Sequence, residues 1–467
     1  MTQLPDAKIR TAIDALLDLG DPSKVSSKDD FGAFERRLRE RTMAVEREIL
    51  AAHLKAADID EPEVEIDGVL HRKVMRSSQT YLTAAGEVAV ERTLYRPRGS
   101  RDDESVPALD RIIGMVEGHL TPHAAATAMY LVSELTPKGA EALLERIGTM
   151  TVSKSTLHRL PNAVRETWEA DRTAFEDALR STIVIPPNAF SVAVSLDGVM
   201  APMVDGRRAE KRAATEAAGL SPSGPAGYRE VGCATVSFCD GKGDLISAIR
   251  MARSPEKNKL TLKEMVQAEL SAVLTIRPNL RVVKLADGAE DNWTFLSEEI
   301  RSGVEVIDFF HAVEHLSHAL NVAYGEGSIE ARRRLVELRH SLVEEDEGAE
   351  RVIRALGYLA KKHSKRPEIA RALGYFKKHR ARMSYSALKK LGLPIGSGVV
   401  EAACKTLVAQ RLKRSGMRWS DDGAQAILTP RGWVQSERFD QAWALVAATY
   451  KLEVSTVAQI IPFQSAA

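Results

Sequence analysis

Apolar residues recur at helical spacing in two runs along the first sixty residues, as at Ile9, Ile13 and Leu16, and a polar stretch at 21–30 separates the runs. This pattern predicts two helices. From residue 61 to residue 98 the pattern shortens to alternating pieces on either side of the sequence AAGE. Alternation around a glycine-containing turn is typical of strands, so a small antiparallel hairpin or sheet is predicted there.

Thr-Pro pairs at 121–122 and 136–137 mark two helix starts, because proline at the first helical position loses no hydrogen bond. Gly148 is placed to end the second helix and Ser153 to cap a third. Helix, short turn and helix make the shape of a helix-turn-helix, although an ordinary helical hairpin has the same pattern. The side chains that such a motif would present to DNA are Lys154, His158 and Arg159.

Strand patterns begin at Phe190 and predict the order strand, strand, strand, helix, strand, helix, strand up to residue 310. Three antiparallel strands followed by two parallel additions is the order of a ribonuclease-H-like (RNase-H-like) domain, which is a fold analogy and not evidence of activity. From His311 to about Ala387 charge and leucine recur at helical spacing, which predicts a helical insertion. A helix then opens at Ser397, and a last amphipathic helix is predicted from Phe439 to Tyr450.

The composition of the 467-residue chain is that of a folded protein, with 44% hydrophobic and 28% charged residues. No apolar run approaches the roughly 18 residues that span a bilayer, and the start of the chain lacks the pattern of a signal peptide, so a soluble cytoplasmic protein is expected. The three cysteines form no Cys-x-x-Cys pair and are expected to be reduced.

Charge is balanced overall but segregated locally. Lys and Arg number 65 against 64 Asp and Glu, so net charge gives no reason to expect nucleic acid as a partner. Between Lys361 and Arg382, however, nine basic residues stand against one acidic residue, Glu368. This basic run is predicted to contact the DNA backbone.

Three carboxylates stand where they can converge. Asp197 and Asp287 end predicted strands, and Glu401 lies in the first turn of a predicted helix, at separations of 90 and 114 residues. Phosphodiester hydrolysis or transfer needs charge stabilisation on the attacking and leaving oxygens, which two divalent cations held by such carboxylates provide. Mg²⁺ suits an all-oxygen site. Each residue also has a plain structural explanation, as a turn residue or as an acid at a helix start.

Several longer strings resemble the catalytic half of bacterial insertion-sequence transposases of the Mutator-like DDE group. They are SLDGV, LADGAEDNW, IDFFHAVEHL, GLPIGSGVVEAACKTLVAQRLKRSGMRWS and GAQAIL, and the resemblance covers roughly Phe190 to Trp443. It implies Asp197, Asp287 and Glu401 as the metal-binding triad, with Mg²⁺ as the cofactor and Mn²⁺ able to substitute. It also implies a helper motif, Asp308 and His311. Relatives often carry a Cys-x-x-Cys in the N-terminal region, which this chain lacks, so no structural zinc is expected there.

The segment His311 to His315 reads H-x-x-E-H, the inverted zinc-peptidase motif, in which two histidines one turn apart bind Zn²⁺ and the glutamate activates water. This zinc peptidase is the low-ranked alternative function.

Basic residues follow Glu401 with no acid among them, and phosphate is their natural partner. A solvated basic helix end is the plain alternative for each of them. The residues are Lys405, Arg411, Lys413, Arg414 and Arg418.

The predicted fold class is α/β, and α+β over the multi-domain chain: an RNase-H-like catalytic domain with a helical insertion, preceded by a mainly helical DNA-binding region with a small β-hairpin. The predicted boundaries are N-terminal helices at 1–60, the β element at 61–100, the helical region with the helix-turn-helix at 101–189, the catalytic core at 190–310 and 391–435, the insertion at 311–390 and the C-terminal helix at 436–467.

The function predicted from these residues is that of a DNA transposase that binds terminal repeats, hydrolyses the phosphodiester at the element's end and joins the freed 3′-hydroxyl to target DNA. Its partners would be DNA and further copies of itself, as a homodimer or higher homo-oligomer, with no membrane, and it would be associated with the nucleoid. A non-catalytic DNA-binding protein derived from a transposase is the other alternative.

Overall fold

The computed structural model of the chain describes residues 7–21, 30–100, 102–205, 208–221 and 226–457. The chain divides into two compact units, Met1–Arg172 with Asp440–Ala467, and Thr173–Phe439. Most of the predicted polar stretch at 21–30, and the last ten residues of the predicted C-terminal segment, lie outside the described residues.

The first unit opens with the two predicted helices and continues into strands. Its elements are α1 (Ala7–Leu17), α2 (Phe31–Ala57), β1 (Glu63–Ile66), β2 (Val69–Thr83), β3 (Gly86–Pro97), β4 (Val106–Pro107) and α3 (Ala108–Ile113). β2 and β3 form the predicted hairpin, and at its turn Thr83 Oγ1 donates to the Gly86 carbonyl over 2.7 Å. The β element is larger than the small hairpin predicted, since β2 alone has 15 residues.

Three packed helices follow, α4 (Pro122–Glu134), α5 (Pro137–Ile147) and α6 (Lys154–Ala170). Gly148 ends α5 with a φ of 70°, and the Ser153 hydroxyl caps α6 by accepting from the Thr156 amide, as predicted. The helix α4 starts at Pro122 as predicted, and the Thr121 hydroxyl donates to the Leu82 carbonyl over 3.4 Å and does not cap the helix. α5 and α6 therefore have the helix-turn-helix shape that the sequence predicted.

The second unit is built on a mixed five-stranded sheet. Its elements are α7 (Arg172–Ser181), β5 (Ser191–Pro202), α8 (Arg208–Ala217), β6 (Tyr228–Cys239), β7 (Leu245–Arg253), α9 (Leu260–Ile276), β8 (Arg281–Ala286), α10 (Glu290–Glu298) and β9 (Val304–Ile307). The strand order is β7-β6-β5-β8-β9; β6 is antiparallel to both of its neighbours, whereas β5, β8 and β9 are parallel. The predicted element order is confirmed, with α8 as an extra helix.

Residues 309–390 are entirely described and contain helices but no strand, so the segment that the sequence predicted to be helical is helical. Its helices are α11 (Phe309–Tyr324), α12 (Ile329–Glu344), α13 (Gly348–Lys362), α14 (Pro367–His379) and α15 (Tyr385–Lys390). Leu316, Leu356 and Phe376 from these helices belong to the same buried cluster as Val194 and Leu285 of the sheet. The insertion and the sheet therefore share one hydrophobic core.

The chain then returns to the sheet through α16 (Gly398–Ala403), a π-helical turn at Cys404–Ala409, α17 (Gln410–Leu412) and α18 (Asp421–Gln435). Val400, Cys404 and Leu407 pack with Val231 and Cys233 of β6 in a second buried cluster. The sheet is thus covered on both faces, as its buried strands require.

The chain ends in the first unit. The predicted last helix is α19 (Phe439–Thr449), and a strand that the sequence did not predict, β10 (Val454–Thr456), pairs antiparallel with β1. The sheet order of this unit is β10-β1-β2-β3-β4.

Replacing Phe376, which is fully buried in the shared core, by alanine should cost about 3–5 kcal/mol because it leaves a cavity. Hydrogen exchange by mass spectrometry should show faster exchange in peptides of both the sheet and the insertion. Tyr358→Ala on the neighbouring α13, where the side chain is 64% exposed, is the control and should change stability by no more than about 0.5 kcal/mol. Faster exchange confined to the insertion would contradict a shared core.

Candidate functional site

Three aspartates lie level with one another along the three parallel strands. Asp287 and Asp308 directly follow β8 and β9, whereas Asp197, which was predicted to end its strand, lies inside β5, because β5 continues to Pro202 in pairing with β6. Val194 of β5 pairs with Lys284 of β8, so Asp197 and Asp287, three residues further on, continue in register. Ala286 of β8 pairs with Ile307 of β9, so Asp287 and Asp308 are also level. Neighbouring strands are about 4.8 Å apart, which places the three aspartates side by side at one edge of the sheet.

Asp197 is half-buried and held from two sides. Its Oδ1 accepts from the Gly198 amide over 2.6 Å, and the buried Cys404 thiol donates to its Oδ2 over 3.5 Å. Burial raises the pKa of Asp197, and the charge of Asp287 raises it further. The aspartate therefore carries a charge that its protein neighbours do not fully compensate.

Lys259 is a buried cation beside this carboxylate, and sequence reasoning missed it. Its Nζ lies 3.0 Å from a Glu230 carboxylate oxygen and 3.7 Å from one of Asp291. The charges of these two acids and of Asp197 raise its pKa, against the opposing effect of burial. Lys259 has a left-handed φ of 53°, and a loop of this kind leaves no periodic pattern in the sequence.

Ser397 joins the fourth carboxylate to the aspartates. Its amide and hydroxyl donate to the two Asp308 oxygens over 3.2 and 2.6 Å, and the hydroxyl lies 3.3 Å from Glu401 Oε1. The helix opens at Ser397 as predicted, but the Ser397 hydroxyl makes no capping bond. It bridges two carboxylates instead.

Glu401 is solvent-exposed as a residue, yet the pKa of its carboxyl is raised to about 7. Partial burial is the largest cause, followed by the hydrogen bond that protonated Glu401 shares with Asp308. The charge of Asp197 adds to the effect. Four carboxylates thus act on one another at this edge of the sheet.

The structure does not pair Asp308 with His311 as expected. Asp308 accepts from Ser397 and from the Phe310 amide, whereas His311 Nδ1 lies 3.6 Å from a Glu314 oxygen. Asp308 caps the helix on which His311 stands, so the two share a turn without touching through their side chains.

The H-x-x-E-H histidines lie edge to face, with ring centroids 4.9 Å apart, and His315 stacks on Tyr375 at 4.0 Å. Burial lowers the pKa of His315, and the neighbouring His311 lowers it further. His315 is therefore held as a neutral ring in an aromatic stack, with its face used for packing.

Within the described ranges, no group of three or more His, Cys, Asp and Glu side chains stands ready to hold a metal ion. The carboxylates are neighbours at this edge of the sheet, but their side chains do not converge on a single point where a metal ion would be coordinated. The chemistry of the donor set still fits a hard divalent cation, because it is all oxygen and its charges repel one another. Asp197, Asp287 and Glu401 are the residues that would hold it.

The basic residues that follow Glu401 divide into surface and interior positions. Arg411 is 1% exposed, with its guanidinium 5.3 Å from the centre of the Trp419 ring, so it cannot track a DNA backbone as predicted. The exposed residues are Lys405, Lys413, Arg414 and Arg418. In the first unit, Lys154, His158 and Arg159 are exposed on α6, as predicted.

Part of the basic run at 361–382 is tied to acids of the same unit. Lys378 lies 3.5 Å from Glu290, Arg380 lies 3.1 Å from Glu350, and Arg382 pairs with Glu305 at 2.8 Å. The other basic residues of the run are exposed on the surface. They are Lys361, Lys362, Lys365, Arg366, Arg371 and Lys377.

Comparisons with known families and with curated protein sequences find no match for this chain. No helix in the part of the chain that the structure describes combines the length and apolar character needed to cross a membrane.

The raised pKa of Glu401 predicts a pH-dependent stability in metal-free protein. An acid whose pKa is raised in the folded state stabilises the fold only while it is protonated. The free energy of unfolding should therefore fall as the pH rises from 4.5, the ordinary pKa of this carboxyl, to about 7, its pKa in the folded protein. Thermal unfolding between about pH 5 and pH 8 should show this fall in the wild type and a smaller one in Glu401→Gln.

Mg²⁺ added at high pH should raise the melting temperature of the wild type more than that of Glu401→Gln, because a cation that binds the folded state stabilises it by mass action. Glu298→Gln, an exposed acid on α10, is the control and should behave as the wild type.

In the pH experiment, identical unfolding profiles for the wild type and Glu401→Gln would contradict the assignment of the raised pKa to Glu401.

Proposed function

We propose that this chain is a DDE-type DNA transposase that binds transposon ends and carries out metal-dependent phosphodiester hydrolysis and strand transfer. The observation that carries the proposal is the carboxylate edge: Asp197 on β5 and Asp287 at the end of the neighbouring β8, with Glu401 beside them from a helix 114 residues beyond Asp287. Carboxylates collected from distant parts of a chain are what a two-metal site for phosphoryl transfer requires.

The topology supports an RNase-H-like interpretation of the second unit. Three antiparallel strands are followed by two parallel strands, in the spatial order β7-β6-β5-β8-β9. The helical insertion separates β9 from the helix that carries Glu401. This is the arrangement that the resemblance to Mutator-like DDE transposases implies, and fold similarity by itself still leaves activity to experiment.

In the proposed reaction Asp197, Asp287 and Glu401 hold the divalent cations, Mg²⁺ or Mn²⁺, which when bound stabilise charge on the attacking and leaving oxygens. Ser397 orients Glu401 and Asp308 through its hydroxyl. Lys405 stands one turn beyond Glu401 and is exposed, so it would contact the backbone of the strand being cut.

His311 is proposed to donate a hydrogen bond or proton to the leaving oxygen, since imidazole is the side chain most often used as a general acid or base. Asp308 is proposed to act through Ser397 and Glu401, since those are its contacts, and not through His311.

DNA would be held by the exposed basic residues beyond Glu401 and by α6 of the first unit. Phosphate contacts of this kind position a duplex, and the helix-turn-helix side chains Lys154, His158 and Arg159 would add contacts at the element's ends. Joining two ends requires more than one active site, so a homodimer or higher homo-oligomer acting on nucleoid DNA is proposed.

Incubation with Mg²⁺ and end-labelled duplexes from the DNA on either side of the protein's own gene should give nicks at defined positions. Asp197→Asn, Asp287→Asn and Glu401→Gln should each abolish nicking while retaining DNA binding, because each removes an oxygen ligand with little change in shape. His311→Ala should slow nicking by about 10²–10⁴-fold, the range of a general acid or base. Glu298→Gln should nick as the wild type does.

The same assay separates the alternatives. DNA bound tightly but left uncut in Mg²⁺ and in Mn²⁺ would indicate a non-catalytic DNA-binding protein. Stoichiometric Zn²⁺ that is retained by the wild type and released by His311→Ala would indicate the zinc peptidase.

The exposed residues of the basic run predict that DNA affinity depends on salt concentration. Replacing Lys361, Lys362, Lys365 and Arg366 by glutamine should flatten the slope of log affinity against log salt by about 0.9 for each duplex phosphate that the variant no longer neutralises. Lys389 and Lys390, which pair with Glu344 and Asp346 at 2.7 Å, are the control pair, and replacing them should leave the slope unchanged. An unchanged slope in the fourfold variant would show that these residues are a solvated surface that does not contact DNA.

A further inference from the structure

Tyr375 of the helical insertion is fixed against the carboxylate edge. One face of its ring stacks on His315, with centroids 4.0 Å apart, and His379 lies 4.9 Å away. Its edge meets the backbone at Gly288, where an added Cβ would lie 2.6 Å from Tyr375 Cε2. Gly288 directly follows Asp287, so the absence of a side chain there is what lets the ring approach the site.

The phenol oxygen of Tyr375 is buried and has no hydrogen-bond partner in the described part of the chain. Other buried tyrosines are satisfied: Tyr385 donates to the Ile307 carbonyl over 2.9 Å, and Tyr95 donates to the Ile59 carbonyl over 2.8 Å. Leaving a buried hydroxyl unpaired costs about 1–3 kcal/mol, so the position of Tyr375 needs an explanation other than stability.

The charges that act on the Tyr375 hydroxyl are those of Asp287 and Asp308. Both carboxylates already accept from other groups, Asp287 from the Ala289 amide over 3.0 Å and Asp308 from Ser397 and Phe310. The hydroxyl is therefore a spare neutral donor at the edge where the four carboxylates meet. A neutral donor held in a dry site is suited to an anionic oxygen that arrives with the substrate.

We propose that Tyr375 donates a hydrogen bond to one non-bridging oxygen of the phosphate that is cut. This inference rests on the proposed function and adds a substrate contact made by the insertion. His315 packs on one face of the ring and the backbone at Gly288 meets its edge, so the position of the ring is set before DNA binds.

The test is single-turnover nicking in Mg²⁺, with protein in excess, of the duplex in which the wild-type nick has been mapped. Tyr375→Phe keeps the ring and removes only the donor, and it should slow nicking by about 10²-fold, as loss of one preorganised donor does. Its DNA affinity and melting temperature should match those of the wild type. Tyr358→Phe, which alters an exposed phenol on the neighbouring helix, is the matched control and should nick at the wild-type rate.

A sulfur scan of the substrate identifies the contact itself. Each non-bridging oxygen of the cut phosphate is replaced in turn by sulfur, which accepts hydrogen bonds more weakly. At the oxygen that Tyr375 contacts, sulfur should slow the wild type more than it slows Tyr375→Phe, whereas at the other oxygen the two proteins should be slowed equally.

The outcomes are distinguishable. A wild type that nicks, together with a Tyr375→Phe variant that nicks equally fast, overturns this inference and leaves the proposed function standing. Slower nicking with a lowered melting temperature and equal sulfur effects in both proteins assigns Tyr375 a structural role and also overturns it. A wild type that binds the duplex but never nicks it overturns the proposed function and this inference together.

Discussion

The register of β5, β8 and β9 is the constraint on which the candidate site depends. It holds Asp197, Asp287 and Asp308 level on neighbouring parallel strands about 4.8 Å apart, a distance at which like charges repel. The surroundings soften this repulsion at each position, through Lys259 near Asp197 and through Ser397 between Asp308 and Glu401. Burial raises the pKa of Asp197 and of Glu401, and the charges of the neighbouring carboxylates raise both further.

The insertion completes this edge. Its helices share a hydrophobic core with the sheet. This packing positions α14 so that the Tyr375 ring contacts Gly288. His379, which is buried on the same helix, packs beside that ring, and burial lowers its pKa to about 4. The rings of Tyr375, His315 and His379 on this side of the carboxylates are therefore uncharged at neutral pH. They do not neutralise the negative charge of the aspartates.

Sequence patterns predicted the helices and strands, because these elements give a periodic spacing of apolar residues. Strand alternation and helical spacing indicated the element order. The strand-end rule placed Asp287 correctly after β8, whereas Asp197 lies inside β5, because pairing with β6 continues the strand to Pro202. The bridge from Ser397 to Asp308 joins residues 89 apart, and Lys259 lies in a left-handed loop, so neither leaves a periodic signal. β10 has only three residues, too few for alternation to show. Contacts of this kind are set by the fold and not by local propensity.

Arg411 shows why charge alone does not identify a DNA contact. Arg411 is enclosed under Trp419, and Arg431 of α18 donates to the carbonyls of Thr406 and Leu407 inside the π-helical turn. A π-helical turn changes the hydrogen-bond pattern of the helix, and donation from a neighbouring side chain stabilises the altered backbone. Because this turn begins at Cys404, whose thiol donates to Asp197, Arg431 supports the backbone behind the carboxylates, and both arginines are buried.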